Sequence, residues 1–241
     1  VQLNGSSGGI NLYMRKGVAV ARAAGGGFNG EAIKSKPSMV RVRENGNEFK
    51  GCMKSVQFFK QGLMPYLHLF KDGLLHQRMV RLFTQLKDLD SIAERGHRSV
   101  SNGLKSDSGK ALLRNYVISS GKGFREVIKN TYSYDWQTGL TLVNFDGTAV
   151  AFNDNATHLE LGIGYLVIDF EQLTFSFTKS DFIYLTASSS GTISIPKPEF
   201  EVGTGYTIGV VFGRFGQQVN GDFYPLKGEL NVVLEVLGVG E

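Results

Sequence analysis

The apolar residues of this chain change their spacing once, from the period of a helix to that of a strand, and the change limits the folds open to it. From Asn45, residues Phe49, Cys52, Met53, Val56, Phe59 and Leu63 fall on one helical face. Asn45 or Asn47 offers a cap for the start of this helix, and Gly62 with Pro65 ends or bends it. A second stripe follows Asp72-Gly73 and carries Leu75, Met79, Leu82, Phe83, Leu86 and Leu89. A third, shorter helix is predicted from Ser106 or Asp107, with Leu112 and Leu113. After about Tyr116 the pattern alternates instead. "THLELGIGYLVIDF", "LTFSFT", "DFIYLT", "TISIP", "YTIGVVFGRF" and "ELNVVLEVLG" are separated by Gly, Asn, Asp and Ser turns. Short strands with no helix between them predict an antiparallel sheet and exclude a parallel, crossover-linked one.

Upstream of the helices, "INLYMRKGVAVAR" alternates Ile10, Leu12 and Met14, turns at Lys16-Gly17, and alternates again through Val18 and Val20. The expected class is therefore α+β. It comprises a Gly-rich basic β-hairpin arm over 1–44, a small helical region over 45–116, and an antiparallel, Ig-like β-sandwich over 117–241. The glycines around the hairpin do not make a nucleotide site. "GSSGG" is followed by a strand and lacks the lysine of a phosphate-binding loop, and "GTGYTIG" has the wrong spacing for a dinucleotide fingerprint. They read as turn glycines that leave the arm free to reach a neighbour.

Charge is distributed unevenly. The formal net charge is +4, but residues 1–130 hold 22 Lys and Arg against 9 Asp and Glu, whereas residues 131–241 hold 4 against 13. A bipolar chain of this kind points to interaction rather than to a fold. The basic half, with interspersed Phe and Tyr, could hold nucleic acid through phosphates and stacking, although no helix-turn-helix or ribonucleoprotein motif is present. No run of about 18 apolar residues occurs, so no membrane-spanning helix is expected.

No residues assemble into a recognisable reaction centre. His68, His76, His97 and His158 lack the close His/Cys spacing of zinc sites. Cys52, the single cysteine, lies on the apolar stripe of its helix and reads as a buried small hydrophobe. Asp146, Asp154 and Asp222 offer hard oxygen ligands in loops, but turns use the same residues and the calcium-loop pattern is absent. Glu199 and Glu201 are sequence neighbours, unlike the facing pair of a glycosidase. Tyr132, Tyr134 and Trp136 form either an aromatic ligand platform or a packed strand. No catalytic residue, metal or cofactor is expected.

The stretches "GSSGGINLYMRKGVAVAR", "SMVRVRENGNEF" and "ERGHRSVSNGLKSDSGKALLRNY" resemble a poorly characterised family of Bacteroidetes bacteria and their phages. The resemblance covers roughly residues 5–116, and beyond that only the β character. It implies a glycine-rich basic hairpin, a helical middle and a β-sandwich end, in a non-enzymatic assembly or surface component. It supplies no catalytic residues, and no secretion signal or sorting domain is identifiable. The expected function is a self-assembling structural protein of a virion, filament or surface layer, located in a virion, outside the cell or at its surface. Its partners would be itself and other virion or surface proteins. Tyr13, Arg15, Lys16, Arg22, Arg41, Arg43, Arg95 and Arg98 are the residues expected at its assembly interface. The alternatives are a β-sandwich module binding carbohydrate or protein, and a nucleic-acid-binding protein acting through the basic half.

Overall fold

The computed structural model describes residues 4–24, 30–128, 132–135, 140–146, 148, 150–152, 155–195 and 205–240. Its class is α+β, with antiparallel sheets throughout. Contacts divide the chain into two units, Val1–Asn47 and Glu48–Glu241.

The first unit opens with a three-stranded sheet of β1 (Gly5–Ser7), β2 (Ile10–Arg15) and β3 (Val18–Ala23). The expected turn joins β2 to β3. Lys16 and Gly17 have φ of 51° and 81°, the backbone twist that a two-residue hairpin turn requires. A short helix α1 (Gly30–Ser35) and a 3-10 turn (Pro37–Met39) lead into α2 (Val40–Gly62). The predicted start of that helix at Asn45 or Asn47 is thus too late. Arg43 donates to the carbonyl oxygens of Ile33 and Lys36, 2.6 and 3.1 Å away, and ties the preceding turn to the helix before either asparagine is reached.

The second unit holds the rest of α2, then α3 (Met64–Leu67), α4 (Leu75–Asp88), α5 (Val100–Leu104), α6 (Asp107–Leu113) and α7 (Phe124–Val127). Helix α6 begins as predicted, with the Ser106 hydroxyl accepting from the Gly109 N–H. The α4 stripe is as predicted through Leu75, Met79, Leu82, Phe83 and Leu86, all buried, whereas Leu89 caps the helix end and is half-buried. The α2 stripe is rotated. It buries Glu48, Cys52, Ser55, Val56, Phe59 and Gly62, and leaves Phe49 55% exposed.

The large sheet carries β6 (His158–Asp169), β7 (Thr174–Lys179), β8 (Ile183–Leu185), β10 (Tyr206–Val219), β11 (Asp222–Pro225) and β12 (Val232–Gly240). β10 lies between β6 on one side and β12 with β11 on the other, while β7 and β8 pair with the far side of β6. A smaller sheet has the order β4 (Tyr132–Asp135), β5 (Leu140–Asp146), β9 (Ser190–Ile195).

The central strands are buried along nearly their whole length because both faces of the sheet are covered. Leu166, Ile168, Ile208, Val210, Phe212, Leu234 and Val236 share one core with the stripes of α2 and α4. Leu161, Ile163, Tyr165, Val211, Val233 and Leu237 form a second core with Phe124, Val127, Ile128, Val150 and Ile193. The strand pairing of β12 continues onto Asn115 and Ile118, whose N–H groups donate to Val236 and Leu234. Segment and helix are tied together by Arg78, which donates to Asp72 and to the Ile118 carbonyl oxygen.

Candidate functional site

Of the eight residues expected at an assembly interface, four lie on the N-terminal sheet. Directly paired residues of an antiparallel ladder share a face. The register therefore puts Ile10, Leu12 and Met14 with Ala19, Ala21 and Ala23 on one face, all apolar. The other face carries Tyr13, Arg15 and Arg22 with Asn11, Val18 and Val20, while Lys16 occupies the turn. The Arg22 guanidinium lies over the Tyr13 ring, 5.8 Å from its centre. No residue from Asn4 to Ala24 is buried. Ile10 is 47% exposed, Met14 40% and Val18 64%.

The other four arginines have neighbours within the chain. Arg41 pairs with Glu44 at 3.0 Å, and Arg43 is held by the two carbonyl oxygens before α2. Arg95 is exposed, in the loop that precedes Arg98. Arg98 is a core-facing cation: its Nε and Nη2 each donate at 2.8 Å to the Glu48 carboxylate. Lys87 Nζ reaches the same carboxylate at 2.9 Å, and the Gly96 N–H donates to it at 2.7 Å. Those donors, Arg98 foremost, hold the Glu48 carboxyl down to about 2 against the cost of burial. The cluster locks α2, α4 and the loop before α5 together. Reversing Arg98 would strip a buried carboxylate of its main partner rather than test an interface.

A second polar cluster lies on the large sheet. Glu160 is buried and accepts from Arg214 and, at 3.2 Å, from the Tyr184 hydroxyl. Arg214 also lies over the Phe223 ring, and Tyr184 packs against the same ring. Each charge in it is matched, so the arrangement clamps β8, β6, β10 and β11 across the sheet.

The remaining candidates are separated in space or fall elsewhere. His68 bonds the carbonyl of its own helix, His76 and His97 are exposed, and His158 bonds Thr157. Among the described residues no group of three or more His, Cys, Asp and Glu could hold a metal ion. Cys52 is buried, with its thiol pushed up to about 11 by burial. Asp222 is exposed at the start of β11, and Asp146 ends β5. Asp154, Trp136, Glu199 and Glu201 lie outside the described residues, and Tyr132 and Tyr134 are placed on β4 by their backbone alone. Among the described residues no helix is long and apolar enough to cross a membrane.

One surface feature escaped the sequence reading. A groove of about 520 Å³ runs along the outward face of α2 and is lined by Lys50, Met53, Lys54, Lys60, Met64 and His76, with Gln57 and Gln61 between them. Its signal is helical spacing of lysine, legible only once the inward face of α2 is known.

No family model, curated protein or solved structure matches this chain.

Proposed function

We propose that this protein is a non-enzymatic building block that self-associates, through its N-terminal sheet, into a larger structure such as a virion, filament or surface layer. The observation that carries this reading is the uncovered apolar face of Ile10, Leu12, Met14, Ala19, Ala21 and Ala23. A small sheet without a core of its own is marginal in water and gains stability when that face is buried against another surface. Its outer strands β1 and β3 also present edges that can add to a neighbouring sheet. A second copy is the simplest neighbour. Among the described acidic residues after 130, Glu171, Asp181, Asp222 and Glu229 are exposed and are the groups that Arg15 and Arg22 of the sheet would meet on another subunit.

The test is the mass of the native particle in solution, measured on the full chain and on a variant carrying Leu12→Asp and Met14→Asp. The wild type assembles with increasing concentration. The variant keeps its circular dichroism and its melting transition but remains monomeric. A wild type that stays monomeric, or a variant that assembles equally well, defeats the proposal.

A second reading is favoured by the Tyr13–Arg22 stack beside Arg15, an arrangement that suits bases and phosphates. In that case purified assemblies would absorb strongly at 260 nm, and nuclease would dismantle them.

A further inference from the structure

The outward face of α2 is unusual for a solvated helix. Between Phe49 and Gly62 the helix carries Lys50, Lys54 and Lys60 and no acidic residue. A solvent face is ordinarily relieved by Glu–Lys pairs a turn apart, whereas Lys50 and Lys54 are like charges at that same spacing and repel. None of the three lysines forms an ion pair with a described residue. The floor between them is apolar. Met53 is half-buried in it, Met64 at its end is 50% exposed, and the lysine stems add hydrocarbon.

We propose that this groove is a docking site for an acidic amphipathic segment of another protein, seated as a helix along α2. Three features select that occupant. Cations are spread along the groove rather than gathered at one end, so the ligand carries several negative charges at intervals; a single-headed anion such as a fatty acid would use one end only. The methionines supply a soft, adaptable floor that accepts apolar side chains recurring at helical spacing. The groove is lined by no Arg, Phe, Tyr or Trp, and its one ring is the His76 imidazole, so it lacks the row of rings on which successive bases stack. From Lys50 to Met64 the face is about 22 Å long, which accommodates a helical segment of about 15 residues. This inference does not depend on the assembly reading.

The probe is a fluorescein-labelled synthetic peptide of about that length with Glu and Leu on opposite helical faces, titrated with the full-length protein and followed by anisotropy. Two control peptides replace Glu by Gln and Leu by Ser. The Glu–Leu peptide binds about tenfold or more tightly than either control, and binding weakens as salt rises. Lys50→Glu with Lys54→Glu and Lys60→Glu abolishes the preference while leaving circular dichroism and the melting transition unchanged. The milder pair Lys54→Gln and Lys60→Gln weakens binding by a smaller factor, and Met53→Ser weakens it without altering charge. Unchanged binding in the lysine variants overturns the proposal. Equal binding of the Ser-for-Leu peptide overturns it too, because charge alone would then be responsible. Displacement of the peptide by oleate or by a single-stranded oligonucleotide at lower concentration than unlabelled peptide would assign the groove to those ligands instead.

Discussion

Glu48 and Arg98 lie fifty positions apart in the chain and meet in the interior through two hydrogen bonds of 2.8 Å. That pair, with Lys87 closing the other side of the carboxylate, joins helix α2 to the loop before α5. It turns what would otherwise be an expensive buried charge into a structural clamp.

Glu48→Gln is expected to cost about 2–3 kcal/mol, because Lys87 and Arg98 lose the buried carboxylate they share and keep only the half-exposed Asp88 as an anionic partner. The native carboxyl is held near 2 against an ordinary 4.5. A carboxyl lowered in the folded state adds stability above its unfolded value, and that stability drains away as pH falls from about 4.5 through about 2. Urea melts across this window should show the loss in the wild type and its absence in the variant. A cost below about 1 kcal/mol at pH 7 would rule out the clamp.

Gly103 lets α5 lie directly against α4, with the position of an added Cβ occupied by the Leu86 carbonyl oxygen. Backbone cannot yield as a side-chain tip can, so Gly103→Ala should destabilise by about 3 kcal/mol or more. Gly51, on α2 with nothing near an added Cβ, makes the contrast: Gly51→Ala should stabilise by about 0.5–1 kcal/mol. Chemical denaturation of the two variants measures both signs, and equal effects would show that the close approach is not made.

Glu235 is buried on the opposite face of the sheet and accepts from the Phe124 N–H. Burial pushes its carboxyl up, aided by Glu126 and opposed by that hydrogen bond and by Arg125. The sign is the reverse of Glu48. Its contribution is full below the unfolded value and is lost as pH rises through the folded one. Glu235→Gln should therefore gain stability relative to the wild type as pH rises above about 4.5. A stability difference that is flat with pH would show that the carboxyl stays solvated.

Tyr66 has its ring stacked on Phe212 at 4.9 Å, and its fully buried hydroxyl has no hydrogen-bond partner among the described residues. Removing a buried polar group that makes no bond relieves a desolvation cost while the ring contact survives. Tyr66→Phe should leave stability unchanged or raise it by about 1 kcal/mol. A drop of that size in thermal unfolding would reveal a hydroxyl partner.

Local pattern by itself determined the turn at Lys16-Gly17, the apolar stripe of α4, the start of α6 at Ser106, and the strands β6, β7, β8, β9, β10 and β12. Those depend on spacing and turn chemistry, which neighbouring residues carry. The apolar face of the N-terminal sheet was legible for the same reason, since Ile10, Leu12 and Met14 alternate. Which way α2 turns was not. Its stripe is broad enough to face inward through Phe49 or through Glu48, and the choice falls to partners far along the chain: Lys87 and Arg98 at Glu48, and Leu166 packed over Gly62. That rotation exposes Phe49 and leaves Lys50, Lys54 and Lys60 along the outward groove. The joining of helices and strands in one core was equally beyond the sequence, because an apolar face records that it must be covered and not by what. Tertiary structure alone decided that Arg98, one of the expected interface cations, belongs to a buried carboxylate fifty residues away.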